Sequence, residues 1–253
     1  MVDEGTSRRD FLFLGAVGFG SVAVSSCGNT AANTSQEQNT NVVKNNEEDK
    51  EPAAKEVTAV EDLMREHGIL RRCLLVYSET GLRLRKNAAD ISPEPLQRTA
   101  KLFRAFGEEY HEKKLEEAYL FPRLKEMAAS SEAAKYTDVL VAQHVRGREI
   151  TDYILSITKG PKLGADAVRF GDVLMGFVRM YQHHAAREDT IIFPAWKDAV
   201  TSDEYDELND KFEEIEQEQF GEDGFADAAK QMNEIEASLS LSDIAQFTAP
   251  SIK

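Results

Sequence analysis

The fold is decided by the stretch Tyr181-Gln182-His183-His184-Ala185-Ala186-Arg187-Glu188-Asp189-Thr190-Ile191-Ile192-Phe193-Pro194. Within it, Glu188 follows His184 by four residues. On an α-helix, residues four apart lie on one face, one turn apart, so an imidazole and a carboxylate can reach the same metal ion. Such groups are costly on a core-facing surface unless they are paired or bound to metal. The stretch therefore predicts a helix that carries metal ligands into a core.

A second stretch resembles the first and lies earlier in the chain. It reads Tyr110-His111-Glu112-Lys113-Lys114-Leu115-Glu116-Glu117-Ala118-Tyr119-Leu120-Phe121-Pro122. In both stretches a proline follows a glutamate by six residues, and we expect Pro122 and Pro194 to kink their helices or end the straight portions. The pattern indicates a weak internal repeat, in which a helix with a histidine precedes a helix with a histidine and a glutamate.

Hydrophobic residues recur at helical spacing in four segments, and no strand-like alternation competes with them. The segments are approximately 57–86, 92–129, 130–160 and 165–200, and they contain, in order, His67, His111, His144 and His184. The connections between them are short, so neighbouring helices should be antiparallel. The sequence therefore predicts an all-α fold: an up-down-up-down four-helix bundle over residues 57–200.

Charge and cysteine content exclude several classes of protein. The chain has 253 residues and a formal net charge of −15, which argues against nucleic acid as a partner. Its two cysteines, Cys27 and Cys73, lie in very different segments, so a disulfide framework is not expected. On the first helix, Cys73 is expected to be a small buried hydrophobic residue.

The N-terminal residues have the features of a targeting signal. Ser7-Arg8-Arg9-Asp10-Phe11-Leu12 precedes an apolar run, 11–24, that is too short and too rich in glycine for a spanning helix. With Cys27 after it, this region resembles a twin-arginine export signal ending in a lipoprotein box. The resemblance implies that residues 1–26 are removed and that a lipidated Cys27 anchors an exported protein to the membrane. The alternative is a simple cleaved signal with an incidental cysteine.

Two further segments flank the predicted bundle. Residues 27–56 are polar and lack core-forming side chains, so we expect a disordered tether. Residues 201–253 are very acidic and have a thin apolar stripe, which predicts one or two peripheral helices and a frayed tail. This extension is either a partner surface or an acidic helix packed loosely on the bundle.

Antiparallel order brings the histidines of the four helices to a similar depth. The candidate metal ligands are His67, His111, Glu116, His144, His184 and Glu188. A single core histidine is usually a hydrogen-bonded residue, but four together with two glutamates favour a metal site. Imidazole suits iron, zinc, copper and nickel, and a nitrogen and oxygen donor set without thiolates favours iron over structural zinc.

These segments resemble the hemerythrin-like (HHE cation-binding) domain over about residues 58–198. The resemblance rests on Glu66-His67, on His111 with Glu116 and Phe121-Pro122, on Gln143-His144, and on His184 through Glu188 to Phe193-Pro194. It implies two non-haem Fe ions bridged by two carboxylates and an oxo or hydroxo group. Known activities of the family include O₂ binding, oxygen or redox sensing, iron handling and defence against nitric oxide.

One feature departs from the family pattern, which has four residues from histidine to glutamate on the second helix as on the fourth. Here His111 lies five residues before Glu116, and at about 100° per residue five steps overshoot a full turn by about 140°, which takes Glu116 off the shared face. A single-turn π-bulge would absorb the extra residue. Glu117 and Glu112 are alternative ligands on this helix. His183 is a possible fifth histidine ligand, or it lies outside the centre or at the surface.

Three functional hypotheses follow. The first is an exported, membrane-tethered protein that binds or senses O₂ or a related small diatomic at a di-iron centre. The second is a di-iron oxidoreductase that turns over peroxide or nitric oxide with the same ligands. The third is a metal-storing or scaffold lipoprotein that acts through its acidic C-terminal segment.

Overall fold

The computed structural model describes residues 57–86, 91–127, 129–163, 166–221 and 223–252. The predicted signal peptide and tether, residues 1–56, lie outside the described residues. Within the described ranges all regular secondary structure is helical, and the prediction of an all-α bundle is confirmed.

Four long helical rods form the bundle. The first is α1 (Ala59–Lys86) and the third is α4 (Glu132–Ile157). The second rod is continuous and consists of α2 (Pro93–Leu102), a π-helical stretch (Phe103–Leu120) and α3 (Phe121–Met127). The fourth rod consists of α5 (Ala167–Arg187), a π-helical turn (Glu188–Ile192) and α6 (Phe193–Asp198).

Neighbouring rods run antiparallel, as the short connections predict. Between the third and fourth rods, for example, the rings of Tyr153 and Phe170 pack together, as do those of His144 and His184 further along. Rods one and four approach closely where small residues face each other. A Cβ atom added to Gly171 would lie 3.1 Å from the carbonyl oxygen of Gly81. The absence of side chains there lets the two rods pack tightly.

The two prolines do not end their helices. Each instead lies in the first turn of an α-helical segment, Pro122 in α3 and Pro194 in α6. Proline is tolerated there because its missing N–H is not needed in the first turn. The phenylalanine before each proline still makes a π-helical hydrogen bond, to the carbonyl five residues back. Phe121 N–H donates to the carbonyl of Glu116, and Phe193 N–H donates to that of Glu188.

The π-helical segments are more extensive than the sequence suggested. The spacing of His111 and Glu116 predicts a single-turn bulge, whereas the π-helical stretch covers 18 residues. The π-helical turn at Glu188–Ile192 was not expected. Because π-helical turns are rare and often occur at functional sites, their presence beside both candidate glutamates directs attention to the bundle interior.

The C-terminal segment forms two helices, α7 (Ser202–Phe220) and α8 (Gly224–Ser238). A capping box between Thr201 and Glu204 begins α7, and Gly221, with φ 97°, ends it. Phe212 of α7 and Met232 of α8 are buried in the common core, so this extension packs firmly on the bundle rather than loosely. No described helix has both the length and the apolar character needed to cross a bilayer.

Candidate metal centre

The six residues predicted as ligands come together inside the bundle. Each is at most 4% exposed, and the set comprises His67, His111, Glu116, His144, His184 and Glu188. They are supplied by all four rods: α1, the π-helical stretch, α4, and the junction of α5 with the π-helical turn. Burial of so many ionisable groups is costly unless charge and hydrogen bonding compensate for it.

Helix type decides which glutamate faces which histidine. His184 and Glu188 are four residues apart at the end of α5, and His184 Nε2 lies 2.9 Å from Glu188 Oε1. His111 and Glu116 are five residues apart within the π-helical stretch, and their Nε2 and Oε1 atoms are separated by 3.4 Å. Hydrogen bonding from i to i+5 widens each turn, so the fifth residue returns to the face that the fourth occupies in an α-helix.

The histidines form two pairs, and the glutamates lie between them. The ring centroids of His67 and His111 are 4.7 Å apart, and those of His144 and His184 are 4.8 Å apart. One cluster of atoms able to hold a cation contains His67, His111 and Glu116, and another contains Glu116, His144, His184 and Glu188.

Each glutamate directs its two oxygens to different histidine pairs. Glu116 Oε1 faces His111 at 3.4 Å, and its Oε2 faces His144 Nε2, also at 3.4 Å. Glu188 Oε1 faces His184 at 2.9 Å, and its Oε2 faces His67 Nε2 at 3.5 Å. Both carboxylates can therefore contribute one oxygen to a cation at each histidine pair.

Several of these atoms lack hydrogen-bond partners. Both oxygens of Glu116, both oxygens of Glu188 and Nε2 of His111 are buried without one. Leaving a buried polar group unsatisfied costs about 1–3 kcal/mol, and more when the group is charged. Cations between the histidine pairs would satisfy these atoms together, so the residues present fit a metal centre.

The outer nitrogens of all four histidines are held by acceptors. The Nδ1 contacts are His67 to Asp189 at 2.6 Å, His111 to Glu66 at 2.7 Å, His144 to Glu117 at 2.9 Å, and His184 to Gln143 Oε1 at 2.9 Å. An ionised carboxylate only accepts, so the imidazole donates its Nδ1–H. This arrangement leaves the Nε2 lone pair directed inward, as metal-binding histidines require.

Sequence reasoning did not assign these acceptors, although a signal was present. Each acceptor is the sequence neighbour of a predicted ligand on its own rod. Each accepts from a histidine that lies on a different rod. Glu66 precedes His67 but binds His111, and Gln143 precedes His144 but binds His184. Neighbouring helix positions differ by about 100°, so while one side chain points to the centre the next can reach the histidine of an adjacent rod.

Two of the four imidazoles, His111 and His144, have a raised pKa when no cation is bound. Burial lowers the pKa of His111, but the carboxylates of Glu116 and Glu66 outweigh it and raise this pKa well above its usual range. Burial likewise opposes the carboxylates around His144, and the net effect raises its pKa to about 10. The negative field of the glutamates thus favours positive charge at the positions where metal ions would bind.

The alternative ligands Glu112 and Glu117 form a separate group with His144, whose ligand atoms lie within 4.8 Å of one another. Glu117 accepts from the outer nitrogen of His144 and from Arg148. Glu112 accepts from the hydroxyl of Tyr181 at 2.7 Å. His183 is exposed, with its Nδ1 3.3 Å from Nη1 of Arg187. Glu116 belongs to both groups that contain the other predicted ligands, Glu112 and Glu117 belong to neither, and His183 belongs to none of the three groups among the described residues.

A small cavity adjoins the centre. Its volume is about 10 Å³, close to the smallest space that holds one water molecule. Leu70, Leu74 and Ala185 form apolar walls, and Tyr181 and Glu112 add polar groups. The space beside the centre is therefore about the size of one water molecule.

Comparisons with known proteins agree with this geometry. The family model described as Hemerythrin HHE cation binding domain matches residues 58–196. The chain is 42% identical over 195 residues to uncharacterized protein Rv1995 of Mycobacterium tuberculosis and to uncharacterized protein Mb2018 of Mycobacterium bovis. Each alignment covers 76% of this chain and 74% of the relative. No solved structure matches the chain at a significant level.

Proposed function

Since this chain belongs to the hemerythrin HHE cation-binding domain family, we propose that it holds two iron ions and binds a small diatomic such as O₂ beside them. One observation carries the proposal. The buried oxygens of Glu116 and Glu188 are unsatisfied, and each glutamate reaches toward both histidine pairs. Two cations that share both carboxylates account for this arrangement, whereas a single cation leaves one histidine pair without a role.

The donor set supports iron. His67 and His111 would hold one ion, His144 and His184 the other, with nitrogen and carboxylate oxygen as the only donor types. Structural zinc sites are usually closed, four-coordinate and often contain thiolate, and Cys73 takes no part in either cluster. Two iron ions would supply the electrons that reversible O₂ binding requires.

The cavity supports a diatomic ligand over an organic substrate. A space of about 10 Å³ has no room for a substrate with several heavy atoms unless buried side chains move. Its apolar walls, Leu70, Leu74 and Ala185, suit a molecule with little polarity. Binding or sensing of O₂ is therefore the function that the site supports best.

A spectroscopic titration tests this proposal. Protein loaded with iron and reduced without air should change its absorption spectrum when O₂ is added, and the change should reverse on degassing. Glu188→Gln should retain the fold but bind less iron and show a smaller change. Iron-loaded protein whose spectrum does not respond to O₂ would contradict the proposed binding.

A second candidate, a peroxide or nitric oxide oxidoreductase, is favoured by one contact. The Tyr181 hydroxyl donates a hydrogen bond to Glu112 at 2.7 Å, and both residues line the cavity. Reduction of peroxide or nitric oxide consumes protons, and this pair would place an exchangeable proton beside the ligand. Catalytic consumption of hydrogen peroxide or nitric oxide, with little reversible O₂ binding, would favour this candidate.

We further propose that the protein is exported by the twin-arginine route and anchored through Cys27. The proposal is supported by the Arg8-Arg9 pair, by the apolar run 11–24 and by the position of Cys27 after it. Fractionation of cells that express the full chain tests it. Cys27→Ser should shift the protein out of the membrane fraction, and Arg8→Lys with Arg9→Lys should retain it in the cytoplasm. Unchanged distribution in both variants would contradict it.

A further inference from the structure

The cavity beside the metal centre has one exposed wall. Eleven residues line it, and ten of them are buried. The exception among these described residues is Arg71, whose side chain is 44% exposed. The remaining walls come from rods one, two and four and consist of closely packed side chains, including Leu70, His111 and Tyr181. A path from solvent that displaces no buried side chain must therefore pass Arg71.

Arg71 is held across this opening by an ion pair. Its Nη2 contacts Oδ2 of Asp189, which belongs to the π-helical turn of the fourth rod. The other oxygen of Asp189 accepts from Nδ1 of His67 at 2.6 Å. The pair therefore spans rods one and four, which are two of the three rods that line the cavity.

We propose that Arg71 is the entrance of the ligand cavity and that its ion pair with Asp189 keeps the entrance closed. The inference rests on the proposed function, because it concerns how a small ligand reaches the same centre. It assigns a role to a residue that is not a metal ligand.

Arg71 is the easiest part of the cavity wall to open, because it is held by a partly exposed ion pair while the rest of the wall consists of buried side chains. Close-packed buried side chains move only with displacement of their neighbours. A partly exposed ion pair is weak and breaks readily, and a freed arginine side chain can extend into water. Opening at Arg71 is thus the path of least cost, and it admits molecules of two or three atoms while larger ones are excluded by the cavity itself.

The contacts of Asp189 define an alternative effect of a change at Arg71, which the test must distinguish from an effect on the entrance. Because this carboxylate binds both Arg71 and His67, a change at Arg71 can alter the metal ligand as well as the opening. The two effects have different kinetic results. An entrance controls association and dissociation alike and leaves Kd unchanged. An effect on His67 changes Kd.

The test compares Arg71→Ala with Arg85→Ala. Arg85 lies on the same helix and pairs with Asp172 of α5, so this pair also joins rods one and four, but away from the cavity. Its side chain is 47% exposed, nearly the same as the 44% of Arg71. It is therefore a matched control for the loss of an exposed ion pair between these rods.

Stopped-flow kinetics on the iron-loaded full chain supply the main readout. The probes are nitric oxide with the reduced protein and azide with the oxidised protein, so that one probe is neutral and one is charged. Arg71→Ala should raise association and dissociation rates of both probes by about tenfold, with unchanged Kd and iron content. Arg85→Ala should match the wild type.

Three results would overturn the inference: unchanged rates in Arg71→Ala at equal iron content, an equal increase in Arg85→Ala, or a change in Kd without a change in association rate. A readout that needs no iron separates this failure from failure of the proposed function. Deuterium exchange at carbon 2 of the His67 ring, followed by mass spectrometry on metal-free protein, should be faster in Arg71→Ala only. If the wild-type protein binds no iron, the proposed function is contradicted. The exchange rates of the metal-free protein still test whether Arg71 closes the entrance to the cavity.

Discussion

His111 Nε2 lies 3.4 Å from Glu116 Oε1, although five residues separate these side chains along the second rod. In an α-helix they would diverge by about 140°. Here the N–H of Phe121 donates to the carbonyl of Glu116, five residues back, and the widened turns bring both side chains to one face. The extra residue in this stretch is thus accommodated by helix type, and the two halves of the centre become geometrically similar.

The first prediction concerns Glu66, which accepts from His111 Nδ1 at 2.7 Å and from the Tyr110 hydroxyl at 2.9 Å. Glu66→Gln supplies one acceptor oxygen for two donors and removes the negative charge. We expect iron affinity to fall about 10- to 100-fold, as is typical when such partners of metal ligands are changed. Competition with a chromophoric chelator measures it. Glu109→Gln, which affects only a surface pair with Lys113, is the control, and equal affinity in both variants would contradict the assigned role.

The second prediction concerns Gly147. A Cβ atom at this position would lie 2.1 Å from the hydroxyl oxygen of Tyr181, which donates to Glu112. Gly147→Ala must displace this buried ring, and we expect the free energy of unfolding to fall by about 1–3 kcal/mol. Denaturant unfolding measures the change.

Gly176 provides the control for this substitution. It lies within α5, and a Cβ atom there would have no neighbour within 4 Å. Gly176→Ala should therefore raise the free energy of unfolding by about 0.5–1 kcal/mol, because alanine loses less backbone entropy on folding. Destabilisation of the same size in both variants would show that contact with Tyr181 is not the reason why position 147 requires glycine.

The third prediction concerns pH dependence through Glu108. Burial raises the pKa of this carboxyl from 4.5 to about 7, opposed by the hydrogen bond from Thr151 and increased by the charge of Glu112. Between pH 4.5 and 7 the folded chain therefore binds more protons at Glu108 than the unfolded chain. The stabilising contribution of protonated Glu108 is present below pH 4.5 and is lost as the pH rises through 7.

Glu108→Gln removes this contribution to the pH dependence. Between pH 4.5 and 7.5, metal-free wild type should lose up to about 3 kcal/mol more of its free energy of unfolding than the variant. Urea unfolding at several pH values measures the difference. Glu149→Gln, an exposed residue paired with Arg146, should keep the wild-type slope. The same slope in wild type and Glu108→Gln would disprove the raised pKa.

Much of the fold could be predicted from spacing. Apolar periodicity predicted the bundle, and the positions of His67, His111, His144 and His184 on it predicted which side chains meet. These features are local, because side-chain direction on a helix follows from position alone. The extra residue before Glu116 also correctly predicted π-helical geometry on the second rod, although not its length.

Other features depend on contacts between rods and could not be read from the chain. The extent of the π-helical stretch depends on many packing contacts along the second rod. The firm packing of α7 and α8 depends on which faces of the bundle are left apolar, as the burial of Phe212 and Met232 shows. The entrance at Arg71 is visible only when rods one and four are assembled.

Iron content per chain tests the central claim most directly. Wild type and His183→Ala should contain two iron ions per chain, because His183 is exposed and outside the centre. His111→Ala should contain less than half the wild-type amount, since His111 faces Glu116 inside it. Measurement by plasma emission spectrometry on protein loaded under identical conditions decides the matter. One iron or none in the wild type, or equal losses in the two variants, would contradict a two-metal centre built on these ligands.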